Sequence, residues 1–308
     1  MYFLRKEDFM RKDALSCCKK KTDWTPYVFL IAPLTIYVLF MVIPSIYSLV
    51  ISLFHWDGLT NEKYFVGLKN YINIFTNDSI FRTALKNNVI WALLSEIIPV
   101  LLGLTMAVLL NTKRRGFGFF RGCIFYPSVL SISTIGLIWR WMYDPNMGLI
   151  NGVLKTITDG AVMINWQEPP EMTIYYLIIA GSWAYSGLCM ILFMSGIKAI
   201  PETTLEAAML DGATGWQRLV YVILPQMKNT INVVLVFTFI NSFKVFDLIY
   251  TMTAGGPARM TNVMATWSYY TIFRYNEYGP GSAMCIILAL ILAVGSGVIG
   301  KLVGEEKN

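Results

Sequence analysis

Six apolar runs, each long enough to cross a lipid bilayer, set the terms on which this chain can fold: Tyr27 to Phe54, Val89 to Leu110, Phe117 to Tyr143, Met172 to Ile197, Val233 to Tyr250 and Ala283 to Leu302. A helix needs about 20 mostly apolar residues to span the hydrocarbon core. Membrane barrels read instead as alternating segments of roughly 10 residues, and these runs are continuous, so the expected class is an all-α integral membrane protein with six transmembrane helices. Composition agrees, because only 14% of the 308 residues are charged, against about a quarter in soluble domains. The first run has a basic flank, no small-residue cleavage pattern and too great a length for a signal-peptide core, so it reads as a retained span. Pro33 and Pro44 are expected to bend it.

Orientation follows from the basic residues. Arg5, Lys6, Arg11, Lys12, Lys19, Lys20 and Lys21 precede the first run, and Lys113, Arg114, Arg115 and Arg121 follow the second. The loop after the third run carries Asp144, Asp159, Glu168 and Glu171 against Lys155 alone. By the positive-inside rule the first two segments are cytoplasmic and the third is external, which places both termini inside. The domain reading is therefore a cytoplasmic segment 1–26, a transmembrane domain 27–303 and a cytoplasmic tail 304–308. The net charge of +6 is a signal of topology and anionic lipid and not of nucleic-acid binding. Cys17 and Cys18 beside the basic run read as inert thiols or lipidation sites, and no metal-ligand spacing occurs among the cysteines.

Between the fourth and fifth runs lies a polar segment of about residues 201–225. Pro201 opens a helix whose positive end is matched by Glu202 and Glu206, and Gly212 suits its exit. Thr214 and Gln217 then form the pattern of a capping box opening a second helix toward Pro225. No G-x-x-x-x-G-K-[ST] phosphate loop is present, and His55, the only histidine, has no catalytic set near it, so the chain is expected neither to be an enzyme nor to hydrolyse ATP.

Glu206, Ala207, Ala208, Gly212, Leu224 and Pro225 match in order and spacing the EAA loop of ABC-importer permeases, with Val222 where that pattern usually has Ile. Phe246-Asp-Leu-Ile-Tyr-Thr-Met-Thr-Ala-Gly-Gly-Pro257 resembles the signature of sugar permeases related to the maltose and glycerol-3-phosphate transporters. Gly67-Leu-Lys-Asn-Tyr71, Arg121, Pro127, Trp139, Gly148, Asn151 and Ile200-Pro201 also fall on that pattern. By this resemblance the chain is identified as a member of the carbohydrate-uptake permeases of bacterial ABC importers, similar to the first permease subunit. The long periplasmic insertion and extra amino-terminal spans of the enterobacterial maltose subunit are missing here.

The resemblance implies a type I importer fold in the bacterial cell membrane, working by alternating access. It implies a second, homologous permease forming a heterodimer, two ATPase subunits that use ATP and Mg, and an extracytoplasmic solute-binding protein. The chain itself is expected to bind no cofactor and no metal. Glu206, Ala207, Ala208, Asp211, Gly212, Leu224 and Pro225 would couple to the ATPase, and Gly255, Gly256 and Pro257 would form an outer turn where the binding protein docks.

Polar groups inside spans tend to face a bundle interior or a water-filled path. Asn241, Lys244 and Asp247 recur at intervals of three, which on one helix places them on one face; Lys244 and Asp247 either line a path or neutralise each other. Glu96 either lines the path or hydrogen-bonds a neighbouring helix near Pro99. Trp139, Trp183 and Tyr185 are aromatic candidates for stacking on sugar faces, or serve an interfacial belt or the core. The small residues Ser296, Gly300 and Gly304 read as a packing stripe. A secondary transporter is the rival reading, since Glu96, Lys244 and Asp247 could serve ion coupling; the polar 201–225 segment separates the two, because an ion-coupled carrier has no use for an ATPase dock.

Overall fold

A computed structural model describes residues 25–111 and 115–304; Cys17, Cys18, the whole amino-terminal basic cluster, Lys113 and Arg114 lie outside them. The chain divides into two compact units, up to Val50 and from Ile51 onward. The first unit is helix α1 (Thr25–Tyr37), a π-helical turn (Val38–Val42) and the start of α2 (Ile43–Ile51). The π turn stands immediately before Pro44 in register: Ile43 N–H bonds to the Val38 carbonyl. A proline ring crowds the carbonyl four residues back, and a widened turn relieves that crowding. The same arrangement recurs at Leu219–Ile223, where Leu224 N–H bonds to Leu219 O directly before Pro225.

The second unit opens with a two-residue ribbon, β1 (Phe54–His55) antiparallel to β2 (Tyr64–Phe65), and a short helix α3 (Lys69–Asn77). Then come α4 (Ser79–Leu110), α5 (Phe117–Val129), α6 (Ile132–Met142), α7 (Leu149–Ile157) and α8 (Thr173–Lys198). The polar segment supplies α9 (Glu202–Leu210), α10 (Gly215–Arg218) and α11 (Leu224–Gln226). The chain ends in α12 (Lys228–Phe243), α13 (Asp247–Met252), α14 (Met264–Phe273) and α15 (Tyr278–Gly304).

Among the described residues four helical stretches are long and apolar enough to cross a membrane: Phe29–Ile51, Ser79–Leu110, Pro170–Lys198 and Tyr278–Leu302. Six result if two bent pairs each count once: α5 with α6, bent by 101°, and Gly215–Gln226 with α12, bent by 74°. The run Phe117 to Tyr143 is therefore not a straight span. Leu130 and Ser131 are extended, and the Ser131 hydroxyl caps the new helix by accepting Thr134 N–H. The second span begins ten residues before the apolar run, at Ser79. The polar Arg82, Lys86, Asn87 and Asn88 ended the hydropathy signal, but the Asp78 carboxylate accepts the N–H groups of Ile80 and Phe81 and starts the helix there. The run Val233 to Tyr250 is interrupted at Lys244, and the last helix starts at Tyr278.

The middle of the bundle belongs to α8. In its most apolar window 61% of residues are buried, against 22% for α4 and 11% for α15, whose outer faces remain apolar and open. Small residues bring neighbours onto it: a Cβ at Gly103 of α4 would lie 2.5 Å from the Cys189 Cβ. One core cluster joins Trp91, Ile135, Trp139, Leu177, Ile178, Leu248 and Ile249; another joins Val100, Cys189, Met190, Phe193, Met227 and Val234. On α15 the close approaches are Gly279 against Phe54, Gly281 against Ile272 and Gly295 against Phe239, whereas a Cβ at Gly300 would meet nothing within 4 Å; Gly300 instead offers its carbonyl to the Asn232 amide at 3.3 Å.

Candidate functional site

The polar segment folds as two capped helices. Pro201 is the N-cap of α9, and Asp211 its C-cap. Gly212 takes a φ of +77°, and the N–H groups of Gly212 and Ala213 bond back to Met209 and Ala208 at 3.1 and 3.0 Å. That paired pattern is a Schellman turn, which needs a left-handed residue at this place. Thr214 and Gln217 make the reciprocal box, at 3.3 and 2.8 Å. Ala208 is buried, while Glu206, Ala207, Asp211, Gly212 and Pro225 are exposed and Leu224 is half-buried. Beside them stand uncovered apolar side chains, Leu210 at 89% exposure, Trp216 at 72% and Tyr221 at 76%. Exposed apolar clusters of that kind are typical of surfaces that contact another protein or the membrane.

Halfway along α8 is a cavity of about 240 Å³, lined by Trp91, Gly181, Tyr185, Asn241, Lys244 and Asp247 among others. Asn241, Lys244 and Asp247 come together here, though not on one helix face. α12 stops at Phe243, Lys244 is its C-cap and Asp247 begins α13. At the break the Asn88 amide of α4 reaches the Phe243 carbonyl at 3.5 Å, and inside α12 the Asn241 amide turns back on Phe237 O at 2.8 Å. α8 is about 39 Å long, so the cavity lies near the middle of the bundle. Irregular backbone at that depth persists where it lines a cavity or is covered by protein. Lys244 and Asp247 are both exposed, and no ion pair joins them among the described residues.

The aromatic candidates separate. Tyr185 lines the cavity and meets Phe237 edge-on at 6.4 Å. Trp139 is buried against Trp183 (5.8 Å) and Tyr143 (5.1 Å) outside it. Glu96 also lies outside the cavity; its Oε1 accepts the Thr238 hydroxyl at 2.8 Å, a bond between α4 and α12.

The Gly255-Gly256-Pro257 stretch forms a closed loop at the end of the bundle opposite the polar segment. Gly255 has a φ of +84°, and the Thr261 hydroxyl donates to Gly256 O at 2.7 Å. Its anchors were not legible beforehand. The Asn87 amide donates to Met260 O and Asn262 O at 2.7 and 2.8 Å, and Asn88 Oδ1 accepts Met264 N–H at 2.7 Å. In the sequence both asparagines read only as polar residues bordering an apolar run.

Residues 99–303 match the family described as "Binding-protein-dependent transport system inner membrane component". The chain is 34% identical over 268 residues to the probable ABC transporter permease protein YurN of Bacillus subtilis, covering 86% of this chain and 91% of that one. It is 29% identical over 284 residues to the trehalose/maltose transport system permease protein MalF of Thermococcus litoralis, covering 92% and 94%. A chain in the crystal structure of a bacterial alginate ABC transporter, in complex with an alginate pentasaccharide-bound periplasmic protein, superposes with a TM-score of 0.80 at 22% identity, covering 92% of this chain and 94% of that one. With its predominantly helical fold and its matched span of family sequence, the chain belongs to the inner membrane components of binding-protein-dependent transport systems.

Proposed function

We infer that this chain is the permease subunit of an ATP-driven carbohydrate importer and that the mid-bundle cavity is its part of the sugar path. The observation that carries this reading is the helix break at residues 244–246, which presents Asn241, Lys244, Asp247 and Tyr185 to one cavity. A sugar offers hydroxyls in several directions and an apolar C–H face, and a few hydrogen-bonding groups beside an aromatic ring answer both. The names of the relatives, which include transporters of trehalose, maltose and alginate, support the substrate class.

In this reading a second, homologous permease covers the exposed Lys244 and Asp247, since charges at membrane depth are costly unless they face protein or water. Two ATPase subunits, with their ATP and Mg, dock on α9 and on Leu210, Trp216 and Tyr221, and pass their movement on as a rigid-body shift of helices. A solute-binding protein delivers sugar at the end carrying Gly255, Gly256 and Pro257. Both termini then face the cytoplasm, and the chain hydrolyses nothing itself. Binding in the cavity is weak, because tight binding would slow release.

The test is uptake by the full complex in proteoliposomes. Asn241→Ala and Tyr185→Ala should lower sugar uptake or change sugar preference with assembly intact. Unchanged rates and preference for both variants would move the path to other helices.

A further inference from the structure

At the end of the bundle that carries the Gly255 loop lies another cavity, of about 180 Å³, lined by none of the path or coupling residues discussed so far. Three aromatic rings make a corner in it. Trp166 lies 4.9 Å from Tyr143 at an interplanar angle of 34° and 4.9 Å from Tyr176 at 85°. Two of its lining residues each carry a buried polar atom without a hydrogen-bond partner, Trp166 Nε1 and Thr173 Oγ1, and Thr173 is only 3% exposed. Buried donors and acceptors without partners are rare and cost stability. Arg140 stands at the rim, exposed and in no ion pair among the described residues.

The corner is built and held. Asn151, buried at the start of the preceding helix, donates its amide to Pro145 O at 3.0 Å and Ile164 O at 2.8 Å, and accepts Ile164 N–H at 3.4 Å. This fixes the loop two residues before Trp166. The Tyr143 hydroxyl donates to Tyr176 O at 3.2 Å and locks the two aromatic elements together. A neighbouring cavity of about 300 Å³ shares Arg140, Gln167, Met252 and Thr253 with this one and reaches Gly256 and Pro257. In the other direction rings follow one another from Tyr143 to Trp139 at 5.1 Å and from Trp139 to Trp183 at 5.8 Å, two residues from Tyr185.

We propose that this cavity is an entry subsite that takes one sugar ring of the transported carbohydrate, stacked on Trp166 or Tyr176 and hydrogen-bonded by the Trp166 indole N–H, the Thr173 hydroxyl and Arg140. The proposal rests on the carbohydrate reading given above. Aromatic walls match the C–H face of a pyranose, the two orphaned groups match its hydroxyls, and the volume admits one ring and not a chain.

The experiment uses the complete transporter in proteoliposomes with its binding protein, and labelled maltose, trehalose and an alginate oligosaccharide as probes. Thr173→Val removes the unpaired hydroxyl at nearly constant shape, and Trp166→Phe keeps a ring but loses the N–H. Each should raise the half-saturating sugar concentration several-fold with the maximal rate retained, and the preference among the three sugars should shift. Thr173→Val should at the same time leave the thermal midpoint of the complex unchanged or raise it, a combination that a purely structural hydroxyl would not give. Wild-type half-saturation and preference in both variants overturn the subsite and leave the carbohydrate reading standing. A wild-type complex that imports none of the three probes and none of a broad panel of mono- and oligosaccharides overturns that reading, and the subsite with it.

Discussion

The side-chain oxygen of Asn88 accepts the backbone N–H of Met264 at 2.7 Å, across 176 positions of sequence. It satisfies a free donor at the start of α14, whose N-cap residue Val263 has no hydroxyl or carboxylate to do so. The same side chain reaches the end of α12, so one asparagine touches both the helix break beside the mid-bundle cavity and the exit from the Gly255 loop. Replacing Asn88 with Leu strands the Met264 N–H in a buried place and should cost about 1–3 kcal/mol. Asn88→Asp keeps an isosteric acceptor and, measured at a pH low enough to protonate the buried carboxyl, should lose less. Thermal unfolding of the purified complex measures both, and equal loss in the two variants would refute the acceptor role.

Gly212 is a backbone position and not a close approach. A Cβ there meets nothing within 4 Å, yet its φ is +77°. Gly212→Ala should therefore strain the turn by about 1–2 kcal/mol, with Gly212→Asn milder because Asn tolerates the left-handed region. ATPase association and uptake should fall in the order Gly, Asn, Ala. A normal Gly212→Ala complex would show that coupling does not depend on this turn.

Leu210 and Trp216 project from the same end with nothing of this chain over them. Leu210→Asp and Trp216→Asp should leave membrane insertion intact while weakening ATPase binding by about tenfold or more, as loss of a central apolar anchor does. Co-purification of the ATPase with the variant permease reports this directly, and full retention in both variants removes the connector assignment.

Lys244 and Asp247 share a cavity without an ion pair. In a double-mutant cycle of Lys244→Met and Asp247→Asn their coupling should stay at the low end, about 0.5–1 kcal/mol, of what residues sharing a cavity show. Each single variant should still depress uptake. A coupling well above that level restores mutual neutralisation.

Orientation has its own test. Glu206→Cys should resist an impermeant thiol reagent in intact cells while Lys155→Cys reacts, because the basic flanks place the first inside and the acidic loop places the second outside. Equal labelling reverses the topology.

Much of the local structure could be read in advance, since it depends on neighbours a few residues apart. The Thr214 and Gln217 box, the turn at Gly212 and the helix from Glu202 each rest on side chains within one helical turn of the groups they satisfy. Apolar length likewise marked every membrane-length region. Boundaries went astray where a cap and not hydropathy ends the helix, as at Asp78, and where an apolar run continues through a break, as at Ser131 and Lys244.

The candidate sites divide along the same line. Sequence determined the six apolar runs, the capped connector and the residue types that can meet a sugar, because period, charge and capping are encoded within short windows. Only the tertiary structure decided that α12 breaks at Lys244, that Asn87 and Asn88 anchor a loop more than 170 positions away, and that Trp166 and Thr173 close a cavity with two unsatisfied groups. Those outcomes depend on which buried donor finds which acceptor once helices pack, and a hydrogen bond between distant residues leaves no periodicity in the chain.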